Sequence, residues 1–418
     1  MNLINISSEL FHLIETGNQA ADQQIQRYFR EHRNLGGRER GFVAETVYGC
    51  LRHKRLIDHV LANSESTRLD RIAAYLVAIQ GWNARALQEA GYPGEAASLI
   101  ARVRATPREQ LPGPVRADMP DWLYERLVAQ LGEEETLQLA YALNRPAPVD
   151  LRVNTLKGKR EEAAASLAAE SYPVEPTPLS PVGLRRLDRA PLFRTEAFQQ
   201  GLIEVQDEGS QLLALLLEPA RREMVVDFCA GAGGKTLHLG ALMANTGVLY
   251  AFDVSAKRLE KIKPRIKRAG LDTVRVVLIE HERDRRVKNL RGKIDRVLVD
   301  APCTGIGTLR RNPDIKWRSH DLPELTALQQ RILSAAAALL KPGGRLVYAT
   351  CSPLREENEE VVEQFLAGNP LFTQISAPDI LARRGIDVQH DASQKALRLY
   401  THRHNTDSFF AAVLERAT

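Results

Sequence analysis

The sequence contains no long uninterrupted apolar run and no pattern typical of a secretion signal. No stretch of its 418 residues approaches the roughly 20 consecutive apolar residues that a membrane helix requires. The first 17 residues, MNLINISSELFHLIETG, carry acids within their apolar pattern rather than a basic head before an apolar run. Both absences predict a cytoplasmic protein that has no membrane partner.

Cysteine is scarce. The chain has four cysteines, Cys50, Cys229, Cys303 and Cys351, and no two of them stand at C-x-x-C spacing. This argues against a structural zinc site and against a disulfide framework, so we predict no bound metal. In a reducing compartment each cysteine is then either a small buried hydrophobe or a reactive thiol.

A chain of this length is too long for one ordinary core and predicts several domains. Residues 1–135 carry apolar side chains at three- and four-residue spacing, as in FVAETVYGCLRHKRLIDHVL, and predict an all-α domain. Residues 136–200 predict a linker and a small α/β module, with a strand in PVDLRVNT, a helix over residues 160–170 and further strand character in GLRRLDRAPL. Residues 201–418 predict a larger α/β domain.

Basic residues point to an anionic partner. Residues 257–296 contain fifteen Lys or Arg against six Asp or Glu, an excess larger than the net charge of +5 of the whole chain. The polar faces of the N-terminal helices add Arg38, Arg40, Arg52, Lys54 and Arg55. These surfaces predict a nucleic-acid partner, although charged faces also serve only to solvate a protein. The segment RATPREQLPGPVRADMP, with four prolines, predicts a linker after the helical domain.

Beyond Gly201 apolar strands alternate with helical segments. The predicted strands are MVVDFCA, GVLYAFDV, VRVVLI, IDRVLVDAP and GRLVYATCS. Apolar runs of this kind separated by helices predict a parallel sheet that is covered on both faces. In such a sheet ligands bind beyond the carboxyl ends of the strands, and each motif described below follows such an end.

The first strand continues into the glycine-rich loop DFCAGAGGKT, residues 227–236. A phosphate-binding P-loop is excluded, because its opening glycine would have to stand at Cys229. A dinucleotide-binding loop is disfavoured, because its third glycine would fall at Thr236. The second strand ends at Asp253, where an acid binds the hydroxyls of a ribose or, alternatively, caps the next helix. Together the loop and Asp253 narrow the cofactor to NAD or S-adenosylmethionine, and the loop pattern favours S-adenosylmethionine.

Two cysteines follow two different strands. Cys303 stands after the fourth strand and Cys351 after the fifth, so neighbouring strands would bring both thiols to one pocket. A thiolate that adds to carbon 6 of a pyrimidine makes carbon 5 nucleophilic enough to accept a methyl group. Asp300, at the end of the fourth strand, is suited to stabilise charge at the ring nitrogen, although it could be only a turn cap.

The motifs LRVNT, VQDEGSQ, DFCAGAGGKT, DAPCTGIGTLRRNPDIKW, ATCS and TDSFFAA occur in this order from about Pro146 to the end. In this series the chain resembles the Nop/Sun family of RNA cytosine-5 methyltransferases. Residues near RERGFVAETVYGCLR are similar to the helical domain of the antitermination factor NusB, which bacterial ribosomal members carry. The resemblance implies an N-terminal all-α domain, a small α/β module and a C-terminal Rossmann-like class I methyltransferase with a mainly parallel, doubly wound sheet.

The resemblance also implies roles for individual residues. Cys351 corresponds to the nucleophile and Cys303 to the cysteine that assists release of the product, while Lys235 and Asp300 border the target base. Arg310, Arg311 and Lys316 correspond to candidates for contact with the RNA backbone. The cofactor contacts implied by the resemblance are Cys229, Ala230, Gly231, Ala232, Gly233, Gly234, Lys235, Asp253 and Asp300.

The chain departs from the family pattern in three places. Members usually have a G-D-G-like turn after the third strand, with an acid that binds the adenine amino group, but here the chain reads LIEHERDRR. Glu280, Glu282 and Asp284 are the candidates for that acid, and we choose Glu282. The other departures are AGAGGK without the usual proline and Ser408 in place of a common glycine. These departures bear on cofactor affinity and leave the reactive groups present.

The sequence therefore predicts an S-adenosylmethionine-dependent methyltransferase, active as a monomer, that modifies carbon 5 of a cytosine in RNA through a cysteine adduct. The NusB-like extension favours 16S ribosomal RNA as the substrate. Transfer RNA is the alternative, because the pocket receives one flipped cytosine in either case. A non-catalytic RNA-binding factor for ribosome assembly is the alternative from another class.

Overall fold

The computed structural model describes residues 2–62, 66–105, 107–186, 192–389 and 394–418. The chain forms two compact units. We call Met1–Pro146 with Thr308–Ser319 the helical unit, and Ala147–Gly307 with His320–Thr418 the sheet unit. No helix among the described residues is long and apolar enough to cross a membrane.

The helical unit is built from ten α-helices in the part of the chain that the structure describes. Its core consists of side chains from the inner helix faces, such as Leu10, Val43, Val47 and Ile72, all fully buried. The predicted all-α character is confirmed. The helices are α1 Leu3–Thr16, α2 Ala21–Glu31, α3 Gly37–Arg52, α4 Lys54–Leu61, α5 Arg68–Ala78, α6 Ala84–Glu89, α7 Ala96–Arg104, α8 Gly113–Arg116, α9 Asp121–Leu131 and α10 Glu133–Leu143.

The proline-rich segment of residues 104–120 does not act as a linker, so that prediction was wrong. It contains α8 and belongs to the helical unit, which continues through α9 and α10 to Pro146. Asp118 in this segment is fully buried, and its Oδ1 accepts a hydrogen bond from the backbone N–H of Leu56 at 3.0 Å. The prolines here begin short helices rather than mark a free connection, because proline fits the first turn of a helix.

Residues 308–319, which follow the Cys303 loop in sequence, pack within the helical unit. The Nζ of Lys316 donates to the carbonyl oxygens of Arg52 and Asp118 and to Oδ1 of Asn144, at 2.6–2.8 Å. Lys316 is 1% exposed and Arg310 is 3% exposed. The prediction that these two side chains contact the RNA backbone is therefore wrong, because both are buried. The prediction that Arg52 is a cation on the protein surface is also wrong, since Arg52 is buried and donates to the carbonyl oxygen of Arg310.

We expect Lys316→Met to lower the melting temperature, because it leaves three buried acceptors without their donor, each at a cost of about 1–3 kcal/mol. Burial lowers the pKa of Lys316 from 10.5 to about 7. The amino group of Lys316 therefore binds its proton more tightly in the unfolded chain than in the folded chain. Stability should therefore rise with pH between about 7 and 10.5 in the parent, and Lys316→Met should lose that rise.

Thermal melts of Lys316→Met across this pH range, beside those of Lys261→Met, check the prediction. Lys261 is exposed on the surface of the sheet unit, so its substitution controls for the loss of one positive charge. Equal melting curves for the two variants would show that Lys316 does not hold residues 308–319 in place.

A small four-stranded antiparallel sheet opens the sheet unit, with strand order β2-β3-β1-β4. The strand predicted in PVDLRVNT and the helix predicted over residues 160–170 are both present. Residues 187–191 of GLRRLDRAPL lie outside the described residues. The elements are β1 Val149–Val153, α11 Arg160–Ala169, β2 Glu175–Pro176, β3 Gly183–Arg186, α12 Glu196–Gln199 and β4 Ile203–Val205.

The larger sheet has eight strands in the order β10-β12-β9-β8-β5-β6-β7, with β11 paired to β12. The five predicted strands are β5 to β9, and they run parallel. The remaining strands β10, β11 and β12 pair antiparallel at the other end of the sheet. The predicted fold class is confirmed. The strands are β5 Met224–Asp227, β6 Val248–Asp253, β7 Val274–Leu278, β8 Ile294–Asp300, β9 Leu340–Thr350, β10 Phe372–Ile375, β11 Leu397–Leu399 and β12 Phe409–Arg416.

Helices cover the larger sheet, whose central strands are buried on both faces. Val225, Val297 and Val347 have no exposed surface, as the continuous apolar runs of the sequence predict. The helices are α13 Glu208–Leu217, α14 Gly234–Leu242, α15 Ala256–Ala269, α16 Arg285–Lys288, α17 Leu322–Ala337, α18 Glu359–Gly368, α19 Ala377–Ala382 and α20 Thr401–His404.

Candidate active site

The carboxyl ends of the parallel strands surround one cavity of about 740 Å³. The order of the strands in the sheet determines which residues line each part of the cavity. Cys351 follows β9, Asp300 ends β8, Asp227 ends β5 and Asp253 ends β6. We call the part beside β9 and β8 the thiol end, and the part beside β6 and β7 the acid end. The structure thus brings the predicted site residues from both cysteine motifs, the glycine loop and Asp253 to this cavity, except Gly233, which does not line it.

The glycine loop bends sharply between β5 and α14. Gly231 and Gly233 have φ angles of +57° and +89°, a region that side chains rarely adopt. A Cβ at Gly233 would lie 2.2 Å from Cγ1 of Ile262, whereas one at Gly231 would meet no atom within 4 Å. Gly233 is therefore required for packing, and Gly231 leaves open space on the cavity side.

Asp253 is 4% exposed and braces the glycine loop. Its Oδ2 accepts from the backbone N–H of Gly231 at 2.8 Å, and its Oδ1 accepts from the backbone N–H of Ser255 at 2.7 Å. The N-cap of α15 is Ser255 itself, whose side chain accepts from the N–H of Arg258. Asp253 thus ties two loops together at the acid end rather than serving as the cap that the sequence also allowed.

Asp227 was not singled out from the sequence. Its carboxylate is fully buried at the floor of the cavity, where Oδ2 accepts from the Thr236 hydroxyl at 2.7 Å. Oδ1 has no hydrogen-bond partner. Burial raises the pKa of Asp227 to about 7, and the nearby Asp300 charge adds to this. A signal was available, because Asp227 ends the first strand of the predicted parallel sheet.

Lys235 and Asp300 form an ion pair at the thiol end, with 2.7 Å between Nζ and Oδ2. Burial acts to lower the pKa of Lys235, but the Asp300 carboxylate outweighs it and the pKa is raised. The ammonium therefore stays charged at neutral pH. A paired charge of this kind in a partly enclosed cavity can stabilise negative charge that develops on a bound ring.

The two predicted thiols lie side by side. The Sγ atoms of Cys303 and Cys351 are 3.3 Å apart. The hydrogen bond with Cys351 and burial raise the pKa of Cys303 well above its usual range. Gly307 fixes the loop, since its N–H donates to the Cys351 carbonyl oxygen and a Cβ there would lie 2.2 Å from the Ser408 carbonyl oxygen. The proximity of the thiols follows from the pairing of β8 with β9.

Cys229 also lines the cavity, but its surroundings differ from those of the other two thiols. Burial raises its pKa well above the usual range, and the charges of Asp227, Asp300 and Asp253 raise it further. A thiol surrounded by carboxylates stays protonated and is a poor nucleophile.

The loop after β7 supplies the remaining predicted acid. Glu280 and Glu282 both line the cavity, and Glu282 pairs with Arg331 of α17 at 3.3 Å. Asp284 instead caps α16, with its carboxylate accepting from the backbone N–H groups of Arg286 and Glu280. Those two hydrogen bonds lower the pKa of Asp284. The structure therefore leaves Glu280 and Glu282 as candidates for cofactor binding.

Two further polar side chains of the cavity wall, Gln206 and Ser210, were missed from the sequence. Both stand in the motif VQDEGSQ, for whose members the sequence predicts no role. Gln206 receives a hydrogen bond from Arg152, a buried residue of the LRVNT motif. The VQDEGSQ motif therefore contributes to the cavity wall, and the LRVNT motif supports it through Arg152.

Comparison with known families gives three matches along the chain. Residues 214–415 match the family 16S rRNA methyltransferase RsmB/F. Residues 119–191 match the ferredoxin-like domain of RsmF/B-like methyltransferases, and residues 7–80 match the NusB family. The ferredoxin-like match begins before α9, so it includes two helices that pack within the helical unit.

Individual proteins agree with these matches. The chain is 30% identical to the probable ribosomal RNA small subunit methyltransferase B of Bacillus subtilis, over 96% of this chain and 95% of that protein. The crystal structure of PH0851 has a TM-score of 0.81 at 28% identity and covers 99% of this chain and 98% of that one. The structure of NSun6 from Pyrococcus horikoshii with SFG has a TM-score of 0.62 at 25% identity, covering 72% and 98%.

The predicted resemblance, fold and cofactor are confirmed by these comparisons. The glycine loop, Asp253 and the strand order also agree with S-adenosylmethionine as the cofactor. The chain belongs to the 16S rRNA methyltransferase RsmB/F family and is an S-adenosylmethionine-dependent ribosomal RNA methyltransferase.

Proposed function

We propose that this methyltransferase transfers the methyl group to carbon 5 of a cytosine in 16S ribosomal RNA, with Cys351 as the nucleophile. The observation that carries the proposal is the pair of thiols 3.3 Å apart, beside the ion pair of Lys235 and Asp300. Methylation of an exocyclic amine requires no cysteine. Adjacent thiols in the substrate cavity are instead suited to covalent activation of a pyrimidine ring.

The acid end of the cavity fits S-adenosylmethionine, which supplies an electrophilic methyl group when bound. The open space at Gly231 admits a ligand against the loop backbone. Asp253 and Glu282 are our candidates for the ribose hydroxyls and the adenine amino group. This arrangement leaves Lys235, Asp300 and the two thiols at the opposite end for the target base.

In the proposed reaction the Cys351 thiolate adds to carbon 6 of the cytosine. The electrons of the C5–C6 double bond move toward N3 and O2, and the Lys235 ammonium, held in place by Asp300, stabilises the charge that develops on the ring. Carbon 5 is then nucleophilic enough to accept the methyl group. Loss of the carbon-5 proton restores the double bond, breaks the bond between carbon 6 and Sγ, and frees Cys351 as a thiolate.

Cys303 is suited to take that proton. Its pKa is held high first by the hydrogen bond with Cys351, then by burial, and also by the charge on Cys351. Once Cys351 is bonded to carbon 6, its sulfur carries no charge and accepts the Cys303 S–H hydrogen bond only weakly. Both contributions of Cys351 to the raised pKa of Cys303 are then reduced, so the Cys303 thiol loses its proton to solvent more readily at that stage of the reaction.

Transfer of a labelled methyl group from S-adenosylmethionine to unmodified small-subunit RNA and to transfer RNA tests the proposal. Digestion to nucleosides identifies the product, and we expect 5-methylcytidine from the ribosomal RNA alone. Label in transfer RNA alone would contradict the assigned substrate, and label on another atom would contradict the assigned position. No label in either RNA would favour the assembly-factor alternative.

Glu282→Gln and Asp284→Asn should differ in which property they lower, the affinity for S-adenosylmethionine or the melting temperature. We expect Glu282→Gln to weaken S-adenosylmethionine binding about tenfold, in line with the loss of one charge-assisted hydrogen bond, with little change in melting temperature. Asp284→Asn should lower the melting temperature, because an amide keeps only one of the two oxygens that accept from the backbone N–H groups of Arg286 and Glu280, and leave cofactor affinity close to that of the parent. Calorimetric titration and thermal melts measure both quantities. Weakened cofactor binding in Asp284→Asn alone would reverse the assignment.

A further inference from the structure

The motifs LRVNT and VQDEGSQ meet at one buried hydrogen-bond chain behind the thiol end of the cavity. Arg152 is 2% exposed, and its Nη1 donates to Oε1 of Gln206 and, at 2.7 Å, to the carbonyl oxygen of Gly234 in the glycine loop. A buried guanidinium that forms hydrogen bonds on two sides fixes both partners in place.

The orientation of the Gln206 carboxamide follows from these contacts. Its oxygen accepts from Arg152, so its nitrogen must point the other way, and Nε2 donates to the Ser210 hydroxyl at 3.1 Å. An amide nitrogen carries two protons. Gln206 lines the cavity, and its second N–H has no acceptor among the described residues.

Gln206 lies at the thiol end. The helix that follows it, α13, packs against β9 and β12, and β9 is the strand that leads into Cys351. Gly209 in α13 is so close to Phe409 that a Cβ would lie 2.9 Å from the ring, and Lys235 Nζ lies 5.7 Å from the centroid of the same ring. Asp253 ends β6 and Glu282 follows β7, on the other side of the sheet centre.

We propose that the Nε2–H of Gln206 donates a hydrogen bond to the O2 carbonyl oxygen of the target cytosine, and that Arg152 is the positioning residue that aims it. This inference rests on the proposed function. Cytosine has two acceptors on its pairing edge, N3 and O2, and the proposed function gives N3 to the Lys235 ammonium that Asp300 holds in place. O2 is therefore the acceptor left for a neutral donor on the adjoining wall.

The contact would contribute to catalysis as well as to binding. When a thiolate adds to carbon 6, negative charge develops on N3 and O2. A donor that is fixed before the reaction stabilises this charge without reorganisation. Because the charge is greater in the transition state than in the bound substrate, loss of the donor should lower kcat more than it raises KM.

Gln206→Glu tests the contact with little disturbance to the protein. One carboxylate oxygen can still accept from Arg152, and the Ser210 hydroxyl can turn to donate to the other. Only the N–H that faces the cavity is lost, and an acceptor takes its place. We expect kcat for RNA methylation to fall about 10²- to 10³-fold, as for removal of one oxyanion donor, with the affinity for S-adenosylmethionine within twofold of the parent.

Gln199→Glu is the matched control. Because Gln199 is exposed in α12, this substitution adds the same charge outside the cavity. A Gln206→Glu enzyme that retains its kcat would overturn the proposal. A fall in cofactor affinity that accounts for the fall in rate would also overturn it, since Gln206 would then serve the cofactor. Failure of the proposed function is separate, because it would appear as a product other than 5-methylcytidine in the parent enzyme.

The positioning role of Arg152 has its own readout. If Arg152 acts through Gln206, Arg152→Lys should lower kcat in the parent but have little further effect when Gln206 is already Ala. A purely structural role would lower the rate by the same factor in both backgrounds, and that outcome would contradict the assignment of Arg152. Melting temperatures recorded for all four proteins separate loss of folding from loss of positioning.

Discussion

Cys351→Ala should abolish methyl transfer, with a fall in rate of about 10⁴-fold or more, as expected when the nucleophile of a covalent mechanism is removed. The Cys351 thiol stands at the end of β9, where it reaches the cavity beside Lys235 and Asp300. Cys303 lies 3.3 Å away, but its pKa is raised well above the usual range by the hydrogen bond with Cys351 and by burial, and Cys229 is surrounded by carboxylates. Single-turnover transfer of labelled methyl groups to ribosomal RNA measures the effect.

Cys50→Ala is the control for this variant. Cys50 is fully buried in the core of the helical unit, so its substitution removes a thiol without touching the cavity. We expect that protein to methylate at the parental rate, with a lower melting temperature from the lost packing. Cys351→Ala protein that binds S-adenosylmethionine normally and still methylates the RNA at the parental rate would overturn the assignment of Cys351 as the nucleophile.

Much of the site could be predicted from the sequence because of how parallel sheets are built. Apolar runs identified β5 to β9, and the side chains that follow parallel strands meet at one edge. That rule alone placed Asp253, Asp300, Cys303 and Cys351 around one cavity, and the structure agrees with this placement. The sequence predicts that the backbone of the glycine loop lies close to a bound ligand, and the positive φ angles of Gly231 and Gly233 agree with this prediction.

What the sequence missed depends on contacts between residues far apart in the chain. Lys316 appears in the sequence as a loop cation, and only the fold buries it among Arg52, Asp118 and Asn144. Its partners are separated from it by more than 170 residues, which no local pattern reports.

The same limit applies to Gln206 and to the acids after β7. The motif that contains Gln206 could be quoted from the sequence, but its orientation depends on Arg152 from another strand. Glu280, Glu282 and Asp284 lie within five residues of each other. Their roles can be told apart only once the first residue of α16 is known, because Asp284 caps that helix and the other two line the cavity.

Cys303→Ala should leave the first half of the reaction intact and block the second. Attack by Cys351 and methylation of carbon 5 need no group from Cys303, so the covalent bond between Sγ and carbon 6 should still form. Without the second thiol 3.3 Å away, removal of the carbon-5 proton loses its base, which is worth about 10²- to 10⁴-fold in rate. The enzyme should therefore accumulate as a protein–RNA adduct.

Denaturing gels of Cys303→Ala protein incubated with S-adenosylmethionine and unmodified ribosomal RNA detect that adduct as a slower band that nuclease removes. The band should be absent from Cys303→Ala/Cys351→Ala protein, because the bond is made by Cys351. It should also be absent without S-adenosylmethionine, since addition of the thiolate to an unmethylated ring is reversible. Normal turnover by Cys303→Ala would assign release to another base, and an adduct that survives loss of Cys351 would assign the nucleophile to another residue.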